Sequence, residues 1–281
     1  MSAAMATSAP SRNRFGLRGQ ILCLGVAGVA IIGCFYLAGL SIERRSQQTA
    51  DRVATLAALS GGIWEGLLQA RGTATEFLQK PSDAKVGAHE QIVSSIGSRL
   101  VRVDEIAAAN PADETAHQAA SSRDAINGYT TRFANVVAAQ KVIGFNENDG
   151  LQGRLRAAVH SIETQLKKYD QPRLAVLMLM MRRHEKDFML RGDPKYGDDL
   201  RKRVDEFGAE LAKSDLPDGV KAEIVKLMDV YRTSFLAYMG EQTKLLGEAT
   251  ELTRHYESIS PALQAIRSAA DQRLGIVKAE L

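Results

Sequence analysis

Cysteine is nearly absent. The chain has two in 281 residues, Cys23 and Cys34, and both fall in one apolar run near the N-terminus. The portion beyond residue 40 therefore has neither disulfide nor thiolate chemistry, and its stability must come from packing. Aromatic residues make up 6% of the chain, prolines number seven, and no segment shows the β-branched alternation of a sheet. That excludes a strand-rich fold and suits long helices. Excess charge of one sign is missing too: Arg12, Arg14 and Arg18 account for the whole formal net charge of +3. The rest of the chain is neutral, which excludes a general nucleic-acid surface. The five histidines, His89, His117, His160, His184 and His255, are scattered along the sequence. His184-Glu185-Lys186-Asp187-Phe188 begins like a zinc-protease helix, but phenylalanine stands where the second histidine is needed. No phosphate-cradling glycine loop is present, and no serine has a base at motif spacing. The chain does not read as an enzyme, and neither a metal nor a cofactor is expected.

Turning to what is there, Ile21 to Leu40 is a run of twenty residues without a charge, about 30 Å as a helix, which matches the hydrocarbon thickness of a bilayer. The expected organisation is a cytoplasmic tail at 1–20, a transmembrane helix at 21–40 and an exterior, periplasmic portion at 41–281. Arg12, Arg14 and Arg18 place the tail inside, with Arg44 and Arg45 as a weaker counterweight. A cleaved leader lacks a small-x-small site. Ile31-Ile32-Gly33-Cys34 resembles a lipobox, which would anchor a lipoprotein at Cys34, although six more apolar or small residues follow where a lipobox needs none.

Prolines and glycines divide the exterior portion into six expected helices, about 41–79, 85–109, 112–141, 148–191, 194–213 and 218–281. In the first, Leu56, Leu59, Ile63, Leu67, Ala70, Ala74 and Phe77 form one apolar stripe, and Gly61, Gly62, Gly66 and Gly72 point to a close approach or a cavity. Trp64 and Arg71, seven residues apart, share its flank. The second and third helices are rich in alanine and serine with a thin stripe, and are expected to form a looser, distal part. The Asn-Glu-Asn-Asp-Gly loop that follows lacks calcium-loop register, and Asp149 reads as a helix cap. The last helix has the strongest periodicity, stepping by four and three from Ile224 through Met228, Tyr231, Phe235 and Tyr238 to Ile266. This line suits packing against a twin, so a homodimer is expected. The line resumes after Ala270 at Leu274 with a phase shift, and Pro261 marks a kink. A rod of about 96 Å cannot pair along its length with a helix of about 30 Å, so stacked bundles sharing long helices are expected.

Leu174 to Tyr196 changes from oily to ionic within one helix. Leu174, Leu177, Met178, Met181, Phe188 and Met189 keep helical spacing, and Gly192 and Pro194 supply a stop and a restart. From Arg182 to Asp187 six consecutive residues are ionisable, and at about 100° per residue they leave no face free of charge. At least one must look inward and needs a partner. An internal ion-pair layer and a buried anion site both fit.

The apolar span, the helical exterior and the segment RRHEKDFMLRGDPKY together resemble the helical bimodular sensor domain of bacterial methyl-accepting chemotaxis receptors over about 41–281. The resemblance is sharpest at Arg182-Arg183-x-Glu185-Lys186-Asp187-Phe188, at Arg191-Gly192-Asp193-Pro194 and at Asn148-Asp149-Gly150-Leu151. It implies an all-α fold of two stacked four-helix bundles sharing long helices, preceded by a transmembrane helix. It also implies a small carboxylate held in the membrane-proximal module by arginines of the first and fourth helices. Arg71, Arg182 and Arg183 match, with Trp64 as a wall and Tyr231, Tyr238, Gln242 and Tyr256 as further polar groups. Ligand occupancy would shift the last helix against the first and pass across the lipid bilayer. Such receptors continue into a cytoplasmic signalling half, so the chain is expected to be the sensor region of a chemoreceptor or of a sensor histidine kinase. A ligand-free helical scaffold is the remaining alternative.

Overall fold

The computed structural model describes the backbone of residues 17–109 and 114–280, with side chains from residue 31 onward except 42, 46, 114–121, 262, 269–270, 273–274 and 277–280. Among the described residues there are seven α-helices and no strand: α1 (Leu17–Gln79), α2 (Asp83–Ala109), α3 (Glu114–Ile143), α4 (Gly150–Lys168), α5 (Pro172–Arg191), α6 (Lys195–Lys213) and α7 (Asp218–Glu280). They form two tiers. In the first, α1 packs on α2 and α7, α2 on α3, and α3 on α7. In the second, α7 packs on α4 and α6, α5 on α6, and α4 only lightly on α5. The beginning of α7 serves the second tier, where Glu223 meets Gln165 of α4 and Tyr231 meets Glu185 of α5. Its later part serves the first, where Glu248 meets Arg132 of α3 and Tyr256 meets Arg71 of α1.

The periodic stripes become the cores. Leu56, Ile63, Leu67, Ala70, Ala74 and Phe77 are buried on α1, as are Ile224, Met228, Tyr231, Phe235, Tyr238, Leu245, Leu252, Tyr256, Ile259, Leu263 and Ile266 on α7. The α7 line is thus buried among helices of the same chain. Two glycines of α1 mark a close approach to α2: a Cβ at Gly62 would lie 2.8 Å from Arg99 Nε, and one at Gly66 would lie 2.8 Å from Ile96 Cγ1. Gly61 and Gly72 face open space.

Two expectations are revised and two others are made more specific. The helix expected at 148–191 is two helices, broken where Asp170 takes a left-handed φ of 50° and Pro172 opens α5. Proline lacks the N–H that the preceding turn requires, so the chain reverses there and α4 and α5 run antiparallel. The second and third helices are not a distal tier; they pack beside α1, with His89, Ile96, Leu100 and Val103 of α2 and Tyr129, Phe133 and Val136 of α3 buried. Small side chains let helices approach, which offsets a thin stripe. Asp149 does occupy the N-cap position of α4, but its side chain makes no capping bond; instead it accepts from Asn146 Nδ2. Pro261, where a kink was expected, stands inside α7, and the helix continues on both sides of it.

Other expectations lie partly outside the description. Half of the span at 21–40 has no described side chains, and among the described residues no helix is long and apolar enough to cross a membrane. The line beyond Ala270, including Leu274, lies outside the described side chains. The stop and restart at 192–194 are present: Gly192 caps α5 with φ 67°, its N–H donating to the Phe188 carbonyl at 2.8 Å. Glycine is suited to that left-handed cap.

Candidate functional site

The break at Asp170 decides where the ionic segment of α5 points. Because α4 and α5 are antiparallel, Arg182 of α5 reaches back to Glu163 of α4, with Nη1 2.9 Å from Oε1. Glu185 is the member of the ionisable run that turns fully inward, with 4% of its surface exposed. It is not isolated: the Tyr231 hydroxyl donates to its Oε2 at 2.9 Å, and Lys186 Nζ lies 3.1 Å from its Oε1. Burial, then the neighbouring Glu185 carboxylate, pushes the Tyr231 pKa far above its ordinary value, so the hydroxyl keeps its proton and remains a donor. Burial likewise raises Tyr238, whose hydroxyl is bonded by Gln152. His184 is half-buried with Nδ1 3.8 Å from Asp199 Oδ2. Phe188, where a zinc protease would carry its second histidine, is core, packed edge-on against Phe235 and Tyr238.

Between α4 and α5 lies a cleft of about 310 Å³. Gln152, Arg156 and His160 line it from α4, and Arg182, Glu185, Lys186 and Met189 line it from α5. Arg156 Nη1 is 3.4 Å from Glu147 Oε1, at the rim. His160 Nδ1 is 3.7 Å from Glu163 Oε2. Further along the same groove, toward the α4–α5 turn, lies a second chamber of about 480 Å³ lined by Leu166, Pro172, Ala175, Met178 and Leu179, with Lys167, Asp170 and Gln171 at its turn end. Glu163 borders the second chamber and Arg182 the first. Their ion pair therefore stands between the two. The first chamber is mainly ionic, and the second is more apolar, with its charged groups at the turn end and at Glu163.

The expected site residues fall into two places. Arg182, Tyr231 and Tyr238 come together around Glu185 and the first chamber. Arg71 and Tyr256 come together in the other tier, with the guanidinium 4.5 Å above the ring. Tyr231 and Tyr256 are separated along α7 by about 37 Å at the rise of an α-helix, so no single ligand bridges Arg71 and Arg182. Trp64 packs half-buried against the first-tier core, and Gln242 is half-buried on α7. Arg183 points outward, 81% exposed, 3.7 Å from Asp187. Beside Arg71, Tyr129 and His89 bury polar atoms with no hydrogen-bond partner. His89 stacks on Phe133 at 3.6 Å, and burial lowers its pKa to about 4. The expectation missed Arg156, His160, Glu163 and Lys186. The first three, with Gln152, form a polar stripe at steps of four, four and three on α4. That signal was hidden while α4 and α5 were read as one straight rod. No family model matches the chain, and no curated protein matches it.

Proposed function

We propose that the chain is the sensor region of a membrane-anchored receptor, and that the first chamber of the α4–α5 groove takes a small molecule bearing a carboxylate. The observation that carries the reading is the separation of α4 from α5 around a half-exposed guanidinium, Arg182, with a cleft of about 310 Å³ beside it. That volume lies in the range of small-molecule sites. Arginine's planar fork matches a carboxylate, and Arg156 and Lys186 stand on the same cleft. Arg71 and Arg183 have no part in this version of the site.

Anchoring is supported by the N-terminal part of α1. Ile31, Ile32, Phe35, Tyr36 and Leu37 are each more than half exposed, and at about 100° per residue they cover every face of the helix. Together with the uncharged run from Ile21 they suit insertion in lipid, with the tail inside and both tiers in the periplasm of a bacterial inner membrane. Signal transfer rests on α7, which packs in both tiers. For ligand to move it, the contacts at Arg182 must be better formed in one arrangement of the helices than in another. A chemoreceptor dimer of the helical bimodular kind is the assembly this reading supports, and a sensor kinase would use the same device.

A second reading, a ligand-free scaffold, is favoured by one observation: Arg156, Arg182 and Lys186 each already have a carboxylate within 4 Å, and such layers also set helix register. A thermal-shift screen of the full chain with organic acids, amino acids, polyamines and purines separates the two. Ligand at 100 times its dissociation constant stabilises by about 2.7 kcal/mol. Stabilisation by acids that is lost in Arg182→Ala and kept in Arg71→Ala supports the carboxylate site. Stabilisation by cations alone, or by nothing, favours the scaffold.

A further inference from the structure

We infer that the ligand of the α4–α5 groove is a zwitterion with an apolar side chain, an α-amino acid by chemical class, which inserts between Arg182 and Glu163. The inference rests on the carboxylate reading above and specifies the remainder of the molecule. It begins with the balance of charge. Arg156, Lys167, Arg182 and Lys186 face the groove or its rim, and so do Glu147, Glu163, Asp170 and Glu185. An acid that took Arg182 for itself would leave the Glu163 side chain, only 25% exposed, with no partner but His160 at 3.7 Å. A dicarboxylate would add a second uncompensated charge. Leaving a half-buried carboxylate without its cation is costly.

A zwitterion avoids both. Its carboxylate takes Arg182 and its ammonium takes Glu163, so one ion pair opens and two form. In an α-amino acid both groups are carried by a single carbon, so one small molecule can engage two side chains that start as neighbours. The third substituent on that carbon then has two directions. One leads into the ionic chamber beside Arg156, Lys186 and Glu185. The other leads into the second chamber, where Leu166, Pro172, Ala175, Met178 and Leu179 form a continuous apolar wall and the polar groups, Lys167, Asp170 and Gln171, stand at the turn end. An apolar side chain belongs in the second. With about 480 Å³ there, a side chain the size of leucine or phenylalanine fits, and each methylene it buries strengthens binding roughly fourfold.

The test is calorimetric titration of the full chain with L-leucine, glycine, 4-methylpentanoate (leucine without its ammonium), 3-methylbutylamine (leucine without its carboxylate) and succinate. Leucine is expected to bind tightest, with the acid and the amine each weaker by about tenfold or more and glycine by about a hundredfold. Glu163→Gln should weaken leucine and leave 4-methylpentanoate unchanged or tighter. Ala175→Phe, which fills the second chamber, should weaken leucine and spare glycine, with circular dichroism confirming that both variants are folded. If 4-methylpentanoate or succinate binds as tightly as leucine, the zwitterion inference is overturned and the carboxylate reading stands. If 3-methylbutylamine matches leucine, or none of the five binds, both are overturned.

Discussion

The two tiers follow one plan, four helical segments around a buried line, and differ in how the last edge closes. In the first tier all four edges are in contact, although a surface cleft of about 310 Å³ lies along α1 and α2 beside Glu65 and Arg99. Gly62 and Gly66 bring α2 against α1, and Phe77 sits edge-on to Phe133 and Phe145 with ring centroids 5.6 and 5.7 Å away. In the second tier three edges close and the fourth, between α4 and α5, stays apart. The residues facing each other there are long and charged, and full burial would strip their solvation. Glycines let the α1–α2 edge approach closely, and the α4–α5 edge, faced by long ionic residues, stays apart.

The sharpest way to break that comparison is to empty one core and watch both. Phe77→Ala should cost about 3–5 kcal/mol. Trp64 is the sole tryptophan and lies in the first tier, so its fluorescence in urea reports on that tier while circular dichroism reports on both. The Trp64 transition should move more in Phe77→Ala than in Phe207→Ala, a core change on α6 of the second tier. Coincident shifts in both variants would mean that the tiers unfold as one unit.

A second difference is sensitivity to acid. His89 is buried in the first tier with its pKa lowered from 6.5 to about 4. The unfolded chain binds a proton at this site near pH 6.5 and the folded chain only near 4, so stability is fully present above 6.5 and is lost as pH falls toward 4. The loss from this residue is about 3 kcal/mol. His89→Phe should remove that part of the acid sensitivity of the Trp64 transition.

Two alanine substitutions on α1, six residues apart, should then act with opposite signs. Gly66→Ala would drive a methyl group against Ile96 and should destabilise by about 1–3 kcal/mol. Gly72→Ala faces open space and should stabilise by about 0.5–1 kcal/mol through helix propensity. Urea denaturation of both variants checks the claim that α1 and α2 are closest at Gly66. The smallest effect is expected in the second tier: Arg183→Ala should change stability by less than about 0.5 kcal/mol and leave ligand titrations unchanged. A loss of binding in that variant would place the site on the outer face of α5.

Periodicity made the buried faces of α1 and α7 legible, because a core-facing stripe repeats whatever it packs against. It could not say which helices share a tier. The α7 line was read as a seam for a twin, when the same line is satisfied by α3 and α4 of its own chain. The charged run at Arg182–Asp187 was legible as a place where a charge must turn inward, and Glu185 does. Its partners were not, because Glu163 lies across a reversal marked by Tyr169-Asp170-Gln171 without a glycine, and Pro172 at a first helical position can start a helix as well as end one. Arg71 and Arg182 looked convergent only while the fourth helix was a rod running beside the first.

Since α7 is common to both cores, they share one register. Sliding it by a single residue would advance it about 1.5 Å and swing it about 100°, which would lift Tyr231 off Glu185 and Tyr256 out from beneath Arg71 in the same step. Neither core can re-form until α7 has travelled a full turn. The helix is therefore restricted to tilts and fractional shifts that both ends accept. Pro261, which cannot donate to the carbonyl four residues before it, lies just beyond Tyr256 and Ile259. There α7 lacks one rung of its own ladder, and a bend is the one distortion that both cores could tolerate.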